Sequence, residues 1–181
     1  MLEPSRYLEL ACHIRLLVLD VDGVMSDGKL YFTDQGAELK AFNSLDGQGI
    51  KMLQQSGVKV AIITGRQSSI VAKRAQDLNI EPLMQGREDK LVALSEMIAK
   101  MNLHWHQVAY MGDDLPDLPA IRKVGLGITV PNGSPELKHH VALCTRRQGG
   151  AGAVREVCEL LMQAQNTWPD QLAVYLKSDL P

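Results

Sequence analysis

The sequence predicts an α/β domain, a Rossmann-like three-layer α/β/α arrangement around a central parallel sheet. Three apolar runs read as buried strands: Leu16-Leu17-Val18-Leu19, Val58-Lys59-Val60-Ala61-Ile62-Ile63 and Val108-Ala109-Tyr110-Met111. Each run finishes in small, hydroxyl or acidic residues: Asp20-Val21-Asp22-Gly23, Thr64-Gly65-Arg66 and Gly112-Asp113-Asp114. Segments of helical spacing separate the runs, and this β-α-β-α alternation calls for a parallel sheet with helices on both faces.

The elements follow in order. Residues up to about 12 form a short leading segment of helical character, which Pro4 is placed to open. After the first strand, residues 29–42 hold two short runs around Asp34-Gln35-Gly36, the pattern of a β-hairpin. It lies directly downstream of Asp20 and Asp22 and can serve them as a flap. Ile50, Met52 and Leu53 mark a helix over 46–56, with Gly57 as its stop. Ser68 or Ser69 can cap a helix running to Leu78. Leu83-Met84 is a short strand, and an amphipathic helix begins at Lys90 with Leu91, Leu94, Met97, Ile98 and Met101. A helix over 115–123, strands over 125–130 and 141–144, and an amphipathic helix over 151–163 complete the series. Residues 1–165 form one domain, and the less patterned 166–181 a C-terminal tail.

Bulk properties narrow the function classes. The 181 residues are 45% hydrophobic and 22% charged, enough for a full core in a soluble globular chain. The net charge of −2, without a Lys/Arg-rich run, offers no field for nucleic acid. No apolar run approaches a membrane span, and Glu3, Glu9 and Asp20 interrupt any leader-like reading of the amino terminus. Cys12, Cys144 and Cys158 form no metal-ligand spacing and read as free intracellular thiols, so a cytoplasmic location is expected. His104, His106, His139 and His140 lack a Cys or acidic partner at zinc spacing.

The chemistry concentrates at the strand ends. Residues i and i+2 of an extended segment point to one side, so Asp20 and Asp22 converge just past the first strand, where parallel sheets bind ligands. Two acids beside Gly23 suit a hard cation and a phosphoryl group, although Asp and Gly are also ordinary turn residues. Gly149-Gly150-Ala151-Gly152, before the last amphipathic helix, reads either as an anion cradle or as a flexible joint.

The order Asp20, Asp22, Thr64, Lys90, Asp113 resembles the haloacid dehalogenase superfamily. Its first motif matches Asp20-Val21-Asp22-Gly23-Val24, its second Thr64, its third Lys90 and its fourth Gly112-Asp113-Asp114-Leu115-Pro116-Asp117. The resemblance implies that Asp20 is a nucleophile forming an aspartyl-phosphate, and that Asp22 serves as general acid and then base. It further implies Mg2+ held by Asp20, Asp113 and the backbone carbonyl of Asp22, with Thr64 and Lys90 on the phosphoryl oxygens. Asp114 and Asp117 stand at a helix start, where the dipole favours acids, and are expected to orient the cation site. The gaps between motifs hold no large insertion, so the chain resembles the capless members.

Within that group, Glu38-Leu39-Lys40-Ala41-Phe42-Asn43, Asp46-Gly47, Ala61-Ile62-Ile63-Thr64-Gly65-Arg66 and Gly149-Gly150-Ala151-Gly152-Ala153-Val154-Arg155-Glu156 are similar to the 3-deoxy-D-manno-octulosonate 8-phosphate (KDO 8-phosphate) phosphatases. That likeness implies a sugar-acid phosphate substrate of lipopolysaccharide sugar biosynthesis. It implies substrate contacts at Asp22, Asn43, Ser44, Leu45, Asp46, Gly47, Lys51, Arg66, Arg74 and Lys90, and a homotetramer in which a neighbour and the segment after Gly149 help close the site. The chain departs from the pattern at Ser44-Leu45, where relatives usually carry Arg before Asp-Gly, and at Lys51, where Arg is commoner. Lys keeps the charge but loses the bidentate fork. Two other readings stand beside this one: a phosphatase or phosphotransferase of another small metabolite, and a non-catalytic oligomerisation module, which need not keep the acids.

Overall fold

The computed structural model describes residues 3–176. A six-stranded sheet has the order β5-β4-β1-β6-β7-β8, every neighbouring pair parallel. Its strands are β1 (Leu16–Leu19), β4 (Lys59–Ile63), β5 (Leu83–Met84), β6 (Val108–Met111), β7 (Leu126–Thr129) and β8 (Leu143–Cys144). A separate antiparallel hairpin joins β2 (Tyr31–Phe32) to β3 (Glu38–Leu39), pairing Tyr31 with Leu39 and Phe32 with Glu38.

The apolar runs are continuous because both faces of the sheet are covered. Side chains alternate between the two faces: Leu17, Leu19, Val60, Ile62, Ala109 and Met111 enter one core, and Leu16, Val18, Ala61, Ile63, Val108 and Tyr110 enter the other. The first core receives α1 (Pro4–Ala11), α2 (Ser44–Gln55), α3 (Ser69–Asp77) and α6 (Ala153–Ala164). The second receives α4 (Lys90–Lys100) and the short α5 (Leu118–Ile121). Between β1 and β4 lie only the hairpin and α2, and between β4 and α4 only α3 and β5, so no cap domain is inserted. The three-layer α/β/α architecture is the one the motif order predicts.

Three local expectations shift. Helix α2 starts at Ser44, earlier than the apolar spacing suggests, because Asn43 caps it by accepting the Leu45 N–H at 2.8 Å. The helix expected over 115–123 divides into a 3₁₀ turn, Leu115–Asp117, and α5. The segment after Gln165 contains a further helix, α7 (Trp168–Leu176), with Trp168 packed on the first core and stacked under the Arg155 guanidinium. Residues 177–181 of that expected tail lie outside the described residues.

Candidate active site

Chain order reverses across β1, between β4 and β6, and the reactive side chains gather at the carboxyl edge of these strands, the usual ligand crevice of such sheets. Asp20 continues β1 by one residue, its N–H bonded to the Met111 carbonyl at 3.0 Å. Thr64 continues β4 in the same way, bonded to Met84 O at 2.9 Å, and Asp113 follows Gly112 at the end of β6.

Lys90, the first residue of α4, reaches between the acids. Its ammonium lies 2.9 Å from Asp20 Oδ1 and 2.5 Å from Asp117 Oδ1. Asp117 is 1% exposed and is the hub of the site. It also accepts the Tyr110 hydroxyl at 2.9 Å and the N–H groups of Asp113 and Asp114 at 3.1 and 3.2 Å. Oxygens of Asp20, Asp113 and Asp117 all fall within 4.8 Å of one another. Burial, then the Asp117 charge, pushes Asp20 up to about 7 against the pull of Lys90, and the same two causes push Asp113 up to about 7. Burial draws Lys90 down, but Asp20 and Asp117 outweigh it and leave its pKa raised.

Three carboxylates thus face one ammonium, and the surplus negative charge is what a divalent cation neutralises. The donors are hard oxygens, and both oxygens of Asp117 are taken, Oδ1 by Lys90 and Tyr110 and Oδ2 by the amides of Asp113 and Asp114, which leaves Asp20 and Asp113 as side-chain ligands; the set fits Mg2+. Gly23 makes the close approach feasible. Its φ of +90° is the left-handed region, and a Cβ there would stand 2.0 Å from Asp113 Oδ2.

Above this centre, Asp22 pairs with Lys40 and faces Arg66 Nε at 3.9 Å. Glu38, on β3, takes Arg66 Nη2 at 2.7 Å and lies 3.9 Å from Lys40 Nζ. A second cluster forms at the start of α2. The Arg74 guanidinium donates to Asn43 O at 3.2 Å, covers Gly47 and stacks 5.6 Å above the Phe42 ring, while Ser44 and Leu45 are exposed on the first turn.

Asp20, Asp22, Thr64, Arg66, Lys90 and Asp113 are therefore gathered at the strand ends, and Asn43, Gly47 and Arg74 meet beside them. The Asp46 side chain turns elsewhere. It is 3% exposed and accepts the Arg155 N–H at 2.7 Å, because the start of α6 offers unpaired amides to a carboxylate. Burial raises its pKa despite those amides. Lys51 is exposed on α2, without a hydrogen bond or ion pair to the acidic centre among the described residues.

The glycine-rich segment is neither a cradle nor a loose joint. Gly149 N–H bonds Asn132 Oδ1 at 2.8 Å and Gly150 N–H bonds Val24 O at 2.9 Å, so these donors are engaged. Asn132 in turn donates to Gly23 O at 3.2 Å. The segment straps the loop that follows Asp20. A Cβ at Gly149 would lie 1.7 Å from the Gly23 carbonyl oxygen.

Comparison with known proteins agrees with this geometry. A family model described as haloacid dehalogenase-like hydrolase matches residues 82–156. The chain is 50% identical to the 3-deoxy-D-manno-octulosonate 8-phosphate phosphatase of Yersinia pestis over 159 residues, 88% of this chain and 85% of that protein. The chain belongs to the KDO 8-phosphate phosphatase family. Among solved members of this family, the Moraxella catarrhalis phosphatase, described as a complex with magnesium, phosphate and KDO, superposes with a TM-score of 0.94 at 44% identity, covering 96% of this chain and 99% of the other. A probable YrbI family phosphatase from Pseudomonas syringae pv. phaseolica superposes at 0.95 with 53% identity, covering 96% and 99%. The resemblance read from the motifs is thus correct.

Several residues that this family member places around its centre carry only weak signals in the sequence. The sequence marks Asp117 as an acid that orients the cation site, but not as the hub that holds Lys90 and the Tyr110 hydroxyl. Tyr110 is the one aromatic in its strand, the single signal that its hydroxyl has a partner inside the sheet. Glu38 and Lys40 flank Leu39 with the period of a strand, which places both on one face of the hairpin.

Proposed function

We propose that the chain is a Mg2+-dependent phosphatase that hydrolyses KDO 8-phosphate to KDO and inorganic phosphate. The observation that carries this reading is the convergence of Asp20, Lys90 and Asp113 at the sheet's switch point, in a chain half identical to KDO 8-phosphate phosphatases. A carboxylate oxygen of Asp20 attacks phosphorus, and the bond from phosphorus to the sugar oxygen breaks. Asp22 gives its proton to the departing alkoxide, then takes one from the water that attacks the aspartyl-phosphate, which frees phosphate and restores Asp20. Lys90 and Thr64 hold the phosphoryl oxygens where charge gathers. Mg2+, held by Asp20, Asp113 and the Asp22 carbonyl, would supply the positive charge that lets an anionic nucleophile approach a phosphate dianion. Arg66 and Arg74 present paired donors to the substrate's carboxylate or phosphate, and Asn43, Ser44, Leu45, Gly47 and Lys51 are the further contacts that the family likeness suggests.

Among the described residues no helix is long and apolar enough to cross a membrane. Three free thiols favour the cytoplasm as the place of reaction. The hairpin's Leu30, Tyr31, Phe32 and Leu39 are 40% to 59% exposed and are the surface through which the chain assembles, as a tetramer in this reading. Phe42 does not belong to that surface, since it packs on the core beneath Arg74.

Phosphate release from KDO 8-phosphate, glucose 6-phosphate and p-nitrophenyl phosphate, with and without EDTA, tests the reading. KDO 8-phosphate should lead in kcat/KM by at least ~100-fold, with EDTA abolishing turnover. Asp20→Asn should eliminate activity, because an amide is neither nucleophile nor good cation ligand. Equal efficiency on all three substrates, or an active Asp20→Asn enzyme, overturns it.

A further inference from the structure

We propose that Lys40 is a positioning residue for Asp22, so that the hairpin takes part in the chemistry besides covering it. The inference rests on the reading of Asp22 as acid and base given above. Glu38 and Lys40 share one face of β3 and its extension, with Leu39 between them on the other face and 57% exposed. The inward face meets the strand-end loop. There the Lys40 ammonium sits on Asp22 Oδ1, and its side chain is only 2% exposed. Asp22, Lys40, Glu38 and Arg66 close a cycle of two acids and two bases.

A lysine gives up much rotamer freedom and hydration to be held in this way, which happens only where the partners fix it well. With three donors, one ammonium serves Asp22 and Glu38 together. Glu38 also grips Arg66, so each base of the cycle is shared between both acids. Lys40 is thereby the tie between the hairpin and the Asp22 carboxylate. Without it, Asp22 keeps only Arg66 at 3.9 Å and its carboxylate is free to rotate. A direct substrate contact by Lys40 fits the structure less well, because its ammonium is enclosed and already divided between two carboxylates.

The test compares leaving groups. A sugar alkoxide needs a proton to depart and p-nitrophenolate does not, so a residue acting through Asp22 affects the two substrates unequally. In Lys40→Met, kcat/KM for KDO 8-phosphate should fall at least ~10-fold, and for p-nitrophenyl phosphate by less than ~3-fold. Lys40→Arg should recover most of the loss, and Glu38→Gln should show the same inequality in weaker form. Equal losses on both substrates, or none on either, overturn the proposal. Asp22→Asn, measured on the same pair, separates the two readings. If it leaves KDO 8-phosphate turnover intact, the acid role of Asp22 falls; if it shows the unequal loss and neither Lys40→Met nor Glu38→Gln does, only the role of Lys40 falls. Added to Asp22→Asn, Lys40→Met should cost less than a further ~2-fold, since the two act as one unit.

Discussion

The acids at the strand ends are held at a cost that the surroundings set. Asp20 and Asp113 are both pushed up to about 7 by burial and then by Asp117, while in an unfolded chain they titrate near the ordinary value of 3.8. Between these limits the folded, metal-free protein holds protons that the unfolded chain has released, so stability falls as pH rises through the window. Asp27, Asp89 and Glu96 are held below their usual ranges, by Tyr31 for the first and by Arg87 for the other two. Their contribution is present above their unfolded values, 3.8 for the aspartates and 4.5 for Glu96, and is lost only as pH falls below those, well under pH 5.5. In EDTA, Tm at pH 8 should therefore lie below Tm at pH 5.5 by at least ~3 °C. Added Mg2+ should raise Tm more at pH 8, where the acids bind without losing protons. Differential scanning calorimetry decides it, and a chelated protein more stable at pH 8 contradicts the crowding of charge described here.

At the scale of elements, the active-site loop is braced by the far end of the chain. Asn132 bridges Gly23 and Gly149, Gly150 bonds Val24, and Asp46 ties α2 to the first turn of α6. The strap leaves no room for a side chain at Gly149, where a Cβ would meet the Gly23 carbonyl at 1.7 Å. Backbone cannot swing aside as a long side chain can, so Gly149→Ala must push the strap and the Asp20 loop apart. A loss of about 1–3 kcal/mol in urea unfolding is expected from such overpacking. Displacing the nucleophile's loop should lower kcat at least ~10-fold, since reacting groups tolerate little misplacement. Helix content should stay unchanged by circular dichroism. A Gly149→Ala enzyme with wild-type turnover shows that the strap does not brace the loop.

The whole molecule is a sheet with its reactive edge uncovered by any inserted domain. The hairpin stands beside that edge, and among the described residues its two short strands pair with each other and with no strand of the main sheet. Phe32 is 59% exposed, Leu39 57%, Leu30 50% and Tyr31 40%, an apolar patch that water covers at a cost and a neighbouring chain covers at a gain. Closed symmetry is the common outcome when one patch meets copies of itself, and it also protects open strand edges. Tyr31→Ser with Phe32→Ser should shift the protein toward the monomer in sedimentation equilibrium and lower activity in parallel. A wild-type chain that is fully active as a monomer at assay concentration rules out assembly as part of the site.

The sequence by itself determined the sheet, because β1, β4 and β6 are buried on both faces and so are written as apolar runs, broken only by Lys59 at the exposed start of β4, that end in polar turns. It carried the chemistry in two parts. Strand geometry brings Asp20, Asp22, Thr64 and Asp113 to one edge, and the motif order shared with the haloacid dehalogenase superfamily adds Lys90 and gives the set its roles. Residues whose partners are distant in sequence were not legible in this way. Asp46 finds Arg155, Asn132 finds Gly23, Asp117 finds Lys90 and Lys40 finds Asp22, each through the packing of separate elements. A carboxylate's local pattern is the same whether it lines a pocket or caps a helix from beneath. Tertiary structure decided between these because only the folded chain shows which amide or ammonium stands within hydrogen-bonding reach once water is excluded.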